Sequence, residues 1–282
     1  MDIVIGRYSG YCSGVRLAVT RAGQMLKGNR ILYSLGEIVH NPQTVEGLKK
    51  KGMIFVSDTK EIPSGHPFLV RSHGLPVSSL KELKKKKMKI CDGTCVKIKR
   101  IQAIIRQLVR KKTPLLIIGK PSHPEIMAIT SLVKGRHWVM ESSSEIDKLP
   151  ALSELAVVVQ TTFNPSVFCD FVRSLVLKVK KLTVFNTLCD ETRWRQEEAA
   201  RLGLEADLIL VIGGRNSSNT RTLFELVREK VKAFTVENET ELDPAWFYGV
   251  RKVALISGAS TPIEEVRKVH DRIREMEKSV KS

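Results

Sequence analysis

The 282-residue sequence is short of cysteine, with five. An odd number without any Cys-x-x-Cys pair does not make a disulfide framework in a chain of this length. A reducing cytoplasm is the expected setting, where cysteines are buried, metal-binding or catalytic. Long apolar runs are also lacking. The longest are short, such as Leu208–Ile212, far below the roughly 18 residues that span a bilayer. The opening Met1-Asp2-Ile3-Val4-Ile5 turns polar with no basic region before a long apolar core, so no secretory signal is expected. Gly-x-Gly-x-x-Gly, Gly-x-x-x-x-Gly-Lys-Ser/Thr and Gly-x-Ser-x-Gly are all missing. Conventional dehydrogenases, kinases and hydrolases lose support accordingly. No Gly/Ser-rich or Pro-rich linker divides the chain, so its domains are expected to be tightly joined.

Acidic residues are in deficit: 30 against 47 Lys and Arg, a formal charge of +17. Such a charge points to acidic partners, among them nucleic acid, anionic surfaces and phosphorylated substrates. The excess is local. Lys81–Lys112 holds thirteen cations against Glu82 and Asp92. That stretch has no interleaved aromatics, which a single-strand nucleic-acid platform would favour. A solvated basic face and a docking face for an acidic protein both remain open.

What is present is an α/β pattern, with 42% hydrophobic residues, enough for real cores. Strand-like runs occur at Asp2–Ile5, Ile31–Tyr33, Phe68–Val70, Leu115–Ile118, Ala156–Val159, Leu208–Ile212 and Val253–Ile256. Continuous Val/Ile/Leu runs suit strands buried on both faces of parallel sheets. Helical periodicity lies between them: Ile101, Ile104, Ile105, Leu108 and Val109; the stretch Glu191 to Leu204; and Val266, Val269, Ile273 and Met276. Length alone favours two or three units over one, and 282 is three times 94. The division is 1–95, 96–188 and 189–282.

Polar stations follow six of the runs: His40, Ser72-His73, Ser122-His123-Pro124-Glu125, Gln160-Thr161-Thr162, Ser217-Ser218-Asn219 and Ser260-Thr261. Ligands of parallel α/β sheets bind beyond the carboxyl ends of strands, where such residues converge. Polar residues follow strands in any α/β protein, so both readings stay open on this pattern alone.

Cys12, Cys95 and Cys189 are 83 and 94 residues apart, each at a strand-to-helix boundary. A helix N-terminus lowers a thiol's pKa and favours the metal-binding thiolate. Three such ligands would leave one metal position open. Spacing alone also fits three buried, small hydrophobes or a zinc site. Cys91 and Cys169 look like core residues.

Taken together, Gly10-Tyr11-Cys12-Ser13-Gly14-Val15, Glu37-Ile38-Val39-His40-Asn41, Ser72-His73-Gly74, Asp92-Gly93-Thr94-Cys95, Gly119-Lys120-Pro121-Ser122-His123-Pro124-Glu125, Gln160-Thr161-Thr162, Asn216-Ser217-Ser218-Asn219 and Gly258-Ala259-Ser260 resemble the motifs of the 4-hydroxy-3-methylbut-2-enyl diphosphate reductase family, in family order. The resemblance runs nearly end to end. It implies three tightly packed α/β lobes with mainly parallel sheets, in a pseudo-three-fold (trefoil) arrangement around a central iron–sulfur site. It implies a 4Fe-4S cluster on Cys12, Cys95 and Cys189 with one iron open to substrate. The implied reaction is reductive dehydration of an allylic diphosphate, the last step of non-mevalonate isoprenoid synthesis. Glu125, Thr161 and His123 are then catalytic. His40, His73, His123, Thr161, Ser217, Ser218, Asn219 and Ser260 bind substrate. Imidazoles, hydroxyls and an amide suit a diphosphate, which needs many donors. An acidic electron-transfer protein of flavodoxin or ferredoxin type is the implied partner, with no specific nucleic acid and no membrane.

His66, His137 and His270 match no motif and are taken as structural or solvated. Beside Asp92-Gly93-Thr94-Cys95-Val96 in place of the family's Asp-Ala-Thr-Cys-Pro, two departures stand out. The family's Val-x-Gly-Thr after the glutamate is replaced by Ile126-Met127-Ala128-Ile129-Thr130, so a loop that bends differently or sets its backbone farther from the substrate is expected. Its Thr-x-x-Arg-Gln is altered to Arg193-Trp194-Arg195-Gln196.

Overall fold

The computed structural model describes residues 1–281, with side chains through Lys278. In chain order the strands are β1 (Asp2–Ile5), β2 (Leu32–Leu35), β3 (Met53–Val56), β4 (Pro67–Val70), β5 (Lys89–Asp92), β6 (Leu115–Ile118), β7 (His137–Met140), β8 (Leu152–Val159), β9 (Val179–Phe185), β10 (Leu208–Ile212), β11 (Lys232–Val236) and β12 (Lys252–Ser257). The helices are α1 (Ser13–Gly28), α2 (Pro42–Lys50), α3 (Val77–Lys85), α4 (Val96–Arg110), α5 (Pro124–Thr130), α6 (Pro165–Val176), α7 (Asp190–Glu205), α8 (Ser218–Val227) and α9 (Ile263–Lys281). No helix among the described residues is long and apolar enough to cross a membrane.

The strands form three four-stranded sheets, ordered β3-β2-β4-β5, β7-β6-β8-β9 and β11-β10-β12-β1. Every pairing is parallel. The chain is thus α/β, as its pattern implies. All three sheets share one order: second strand, first, third, fourth, with β1 in fourth place of the last sheet. From its first strand the chain steps outward one way, then the other. A switch point therefore falls between β2 and β4, between β6 and β8, and between β10 and β12. Open parallel sheets take ligands just beyond such points.

Two compact units result. One holds residues 1–16, 39–50 and from 190 on, with the sheet β11-β10-β12-β1; the other holds 17–38 and 51–189, with the remaining two sheets. In the first unit, Leu208, Leu210 and Ile212 face Val266, Val269 and Ile273 of α9. Ile209 and Val211, on the opposite face, meet Leu202 of α7 and Leu223 of α8. In the second unit, Leu116 and Ile118 pack on Phe168 and Phe171 of α6. Leu115 and Ile117 pack on Ile101 and Ile105 of α4. Helices on both faces explain why the central strands read as unbroken apolar runs. Each fully buried Leu or Ile contributes about 1.5–3 kcal/mol, which fixes the register.

The seven strand-like runs are the six central strands plus β1. The five others, β3, β5, β7, β9 and β11, all lie at sheet edges. Edge strands are half-exposed and carry charges: β9 reads Val-Lys-Lys-Leu-Thr-Val-Phe, with Lys180 and Lys181 exposed. β1 pairs with β12, so the first strand belongs to the sheet of the last third of the chain.

Each of Cys12, Cys95 and Cys189 follows the fourth strand of a sheet, and the next residue begins a helix: α1, α4 or α7. Cys169 is different from its expected core position, being exposed. Phe168, Phe171 and Leu175 form the buried stripe of α6, and the 100° step of a helix turns the residue after Phe168 away from it.

Candidate active site

In the second unit, β6 and β8 end beside each other and deliver Glu125 and Thr161. Glu125 is only 1% exposed. Its Oε1 accepts the Thr161 backbone N–H at 2.8 Å and its Oε2 accepts the Thr161 hydroxyl at 2.6 Å. Burial pushes the Glu125 carboxyl up to about 7, against the two Thr161 bonds. A carboxyl balanced there holds or releases a proton near neutrality, the property of a general acid. His123 caps α5, its Nδ1 accepting the Glu125 backbone N–H at 3.2 Å. A neutral His123 ring therefore carries its proton on Nε2. His73, beyond β4, meets His123 edge to face at 5.4 Å between centroids.

Two of this unit's four cysteines are tied to the same stations. Cys189 N–H donates to the Thr161 carbonyl at 2.8 Å, and Cys95 N–H to the Ser72 carbonyl at 2.9 Å. Burial pushes the Cys95 thiol up, while backbone N–H groups of Lys97 and Ile98 pull it down and the charges of Cys189 and Glu125 raise it further. The helix N-terminus was expected to lower this thiol. Desolvation outweighs it, because the sulfur is shielded from water before any metal is bound. The unit thus gathers Cys95, Cys189, Glu125, Thr161, His73 and His123.

In the first unit, β10 and β12 deliver the remaining stations. The Ser217 side chain caps α8 by accepting the Thr220 N–H at 3.3 Å. Ser260 Oγ donates to the His40 carbonyl at 3.1 Å and lies 3.5 Å from Ser217 Oγ. Asn219 Oδ1 accepts the Ala259 N–H at 2.9 Å, and the Ala259 carbonyl accepts Cys12 N–H at 3.0 Å. Buried Asn219 Nδ2 has no partner among the described residues. It is a donor without an acceptor, as an anion site requires. Ser218 opens α8 and is exposed. Glycines allow the close approach. A Cβ on Gly258 would lie 2.2 Å from Thr220 Oγ1, and one on Gly214 would lie 2.6 Å from the His40 carbonyl oxygen.

The loop carrying Cys12 is held by one face of α7. Glu198 accepts the N–H of Arg7 at 2.8 Å and of Tyr8 at 3.0 Å. Buried Arg195 donates to the Gly10 carbonyl at 2.8 Å and the Ser257 carbonyl at 3.4 Å. Glu191 accepts the Ser13 N–H at 2.9 Å and the Ser13 hydroxyl. Positions 191, 195 and 198 share a helix face. Sequence reasoning missed these three, because polar residues at helical spacing read as a solvated face.

The other histidines make local contacts: His66 with Ser64, His137 with Gly135 and His270 with Asp271. Gln160 Nε2 donates to Thr162 Oγ1 at 3.0 Å and its Oε1 accepts the Lys120 N–H at 3.1 Å, bracing the loop ends after β6 and β8.

Residues 3–274 match the family model of the LytB protein. The chain belongs to the LytB family. Among curated relatives, the 4-hydroxy-3-methylbut-2-enyl diphosphate reductase of Aquifex aeolicus is 36% identical over 281 residues, covering 98% of this chain and 97% of the relative. That of Dictyoglomus turgidum is 38% identical over 269 residues, covering 94% and 95%. A solved structure of (E)-4-hydroxy-3-methyl-but-2-enyl diphosphate reductase, described as the terminal enzyme of the non-mevalonate pathway, is 35% identical, with a TM-score of 0.76, covering 98% of this chain and all of that one. The Plasmodium falciparum E-1-hydroxy-2-methyl-but-2-enyl-4-diphosphate reductase structure gives a TM-score of 0.90 at 27% identity, covering 96% and 87%.

The segment after Glu125, where the sequence suggested a loop, is not a loop. It is the continuous helix α5, with Ile126, Ala128 and Ile129 buried and Met127 exposed. The apolar residues that replace the glycine segment anchor the helix that carries Glu125. In the second departure from the LytB motifs, Arg195 secures the Cys12 loop and Trp194 stacks on Tyr8 at 5.7 Å.

The donor set fits a thiolate-held iron–sulfur group. All five cysteines are free thiols. Cys95 sulfur receives two backbone N–H groups and Cys12 sulfur accepts the Val15 N–H at 3.4 Å, the bonding that tunes cluster sulfurs. Among the described residues no three His, Cys, Asp or Glu side chains gather around a single ion position. A cluster that takes one thiolate per iron does not require that.

Proposed function

We propose that the chain catalyses reductive dehydration of (E)-4-hydroxy-3-methylbut-2-enyl diphosphate to isopentenyl diphosphate and dimethylallyl diphosphate, the last step of the non-mevalonate pathway. Two electrons and two protons enter per turnover, and one water leaves. One observation carries the reading most. Thr161 holds the buried Glu125 carboxyl with its own N–H and hydroxyl, while its carbonyl holds the peptide of Cys189. A proton-holding acid is thereby coupled to a thiol ligand through one residue.

Cys12, Cys95 and Cys189 are the proposed ligands of a 4Fe-4S cluster, with one iron open to substrate. When bound, the cluster supplies electrons one at a time and a Lewis acid for the hydroxyl. Metal–thiolate bonding would displace the thiol protons and outweigh the raised affinity of Cys95 for its own. Glu125 delivers the proton that turns the departing hydroxyl into water. Thr161 orients both the acid and the hydroxyl. His123, protonated at Nε2 when neutral, donates toward substrate oxygen, as does His73 beside it. His40, Ser217, Ser218, Asn219 and Ser260 bind the diphosphate, supported by Asn219 Nδ2, which has no partner among the described residues, and by the α8 N-terminus.

The lobes are proposed as 1–95, 96–188 and 189–282, with Cys95 ending the first and Cys189 opening the third. An acidic flavodoxin or ferredoxin in the cytoplasm is the proposed electron source. Anaerobic purification tests the cofactor. Brown protein with about four irons per chain is expected, falling in each single Cys→Ser variant at positions 12, 95 and 189 but not at 91 or 169. Colourless, iron-free protein from anaerobic cells would count against the reading.

A further inference from the structure

Helix α4 contains no acidic residue. Its apolar stripe, Ile98, Ile101, Ile105 and Leu108, is buried. The opposite face presents Val96, Arg100, Ala103, Arg106, Gln107 and Arg110, all exposed. These follow the i, i+4, i+7 spacing of one helix side and run about 20 Å at 1.5 Å per residue. Exposed cations on helices are commonly paired within a turn, as Arg193 is with Glu197 and Arg201 with Glu205 in this chain. Arg100, Arg106 and Arg110 have no acidic partner among the described residues. Neighbouring Lys99 is neutralised by Asp92 at 2.7 Å. At the start of the stripe Val96 is 64% exposed, and the preceding residue is Cys95.

The geometry points to this face of α4 as the docking surface for a small acidic protein that carries a one-electron centre. The inference rests on the reductase reading, which requires two electrons per turnover from outside. The chain has no dinucleotide fingerprint to bind a nicotinamide donor itself. An exposed apolar residue leading into a row of unpaired arginines offers the mix of apolar contact and cations that protein interfaces use. It stands one residue from a thiol proposed to hold the acceptor, which makes the route into the protein short. Unpaired cations also speed encounter with an acidic partner. Nucleic acid fits less well, because no aromatic side chain lies on the face for bases to stack on.

The neighbouring lysine run Lys84–Lys87, which the charge count alone singles out, is a poorer surface. Lys86 Nζ donates to the carbonyls of Thr59 at 2.7 Å, Lys60 at 3.2 Å and Ile62 at 2.7 Å. It is engaged in holding the turn before β4.

The test compares two reductants in the iron-loaded enzyme. Turnover is driven by reduced flavodoxin or by dithionite with methyl viologen, for the wild type, Arg100→Glu/Arg106→Glu and Arg100→Lys/Arg106→Lys. With flavodoxin, the Glu pair should lose at least about tenfold in kcat/KM and most of its salt dependence, with dithionite turnover changed by less than about twofold. The Lys pair should keep most of the flavodoxin rate. Unchanged flavodoxin turnover in the Glu pair would overturn the docking face and leave the reductase reading standing. Equal loss with both reductants at full iron content would also overturn it. Wild-type enzyme with full iron and no dithionite turnover would sink the reductase reading itself. Duplex DNA retained by the wild type at about 0.15 M salt and released by the Glu pair, with flavodoxin turnover unaffected, would reassign the face to nucleic acid.

Discussion

Thr161 grips Glu125 at both carboxyl oxygens, with its backbone N–H at 2.8 Å and its hydroxyl at 2.6 Å. The hydroxyl can donate to only one acceptor at a time. A proton taken up by Glu125 therefore changes what Thr161 can offer elsewhere. Glu125→Gln keeps the shape and removes the transferable proton. Turnover driven by dithionite should fall by roughly 10²–10⁴, the usual worth of a positioned acid, with the iron content and visible spectrum unchanged. Turnover equal to wild type would remove Glu125 from the proton path.

The same carboxyl makes stability depend on pH. Its affinity for a proton is higher in the folded protein, about 7, than in the unfolded chain, about 4.3. The folded state thus binds more protons between those values, so stability is full below the lower one and falls as pH rises through about 7. In metal-free protein, urea unfolding at pH 5 and pH 8 should show a loss that Glu125→Gln reduces by something of order 3 kcal/mol. An identical pH response in both proteins would contradict the burial argument.

Arg195 joins the Gly10 and Ser257 carbonyls behind the Cys12 loop. Arg195→Ala leaves both acceptors short of a donor in a buried place, costing about 1–3 kcal/mol. Cluster loss in air should accelerate, as followed by visible absorbance. Arg195→Lys should rescue only partly, since a point charge does not span two carbonyls as a planar fork does. Unaltered cluster lifetime in Arg195→Ala would show that the loop is held by other contacts.

Two adjacent lysines should behave oppositely. Lys86 is bonded to three carbonyls, whereas Lys85 is exposed on α3. Thermal unfolding should register Lys86→Ala as a loss of about 1–3 kcal/mol and Lys85→Ala as within about 0.5 kcal/mol of wild type. Equal effects would mean that the Lys86 bonds do not persist in solution.

Gly258→Ala places a methyl group 2.2 Å from Thr220 Oγ1. Something must move, and Asn219 and Ala259 are directly adjacent. A loss of about 1–3 kcal/mol from overpacking should accompany a raised substrate KM. A stable variant with unchanged KM would separate this contact from substrate binding.

The six central strands were legible because helices cover both their faces and leave unbroken apolar runs. The edges were not: Lys180 and Lys181 in β9 look like loop until the sheet is seen. The stations that end the central strands were legible as polar interruptions, and after β6 and β8, and after β10 and β12, the fold shows why they recur in pairs, one pair at a switch point. Cys169 misled, since neighbouring phenylalanines do not reveal which side of α6 it takes. Cys95 misled on thiol acidity, because a helix start is visible in sequence and desolvation is not. Glu191, Arg195 and Glu198 were invisible as a group, since each holds a backbone group of the Cys12 loop more than 170 residues away.

The central claim is the reaction. The most direct measurement is anaerobic incubation of the iron-loaded chain with (E)-4-hydroxy-3-methylbut-2-enyl diphosphate and dithionite–methyl viologen, with the diphosphates separated and identified by mass. The account predicts isopentenyl and dimethylallyl diphosphates, formed with consumption of two electrons per molecule and abolished by Cys95→Ser. Recovery of unchanged substrate from protein that holds its full iron would contradict it.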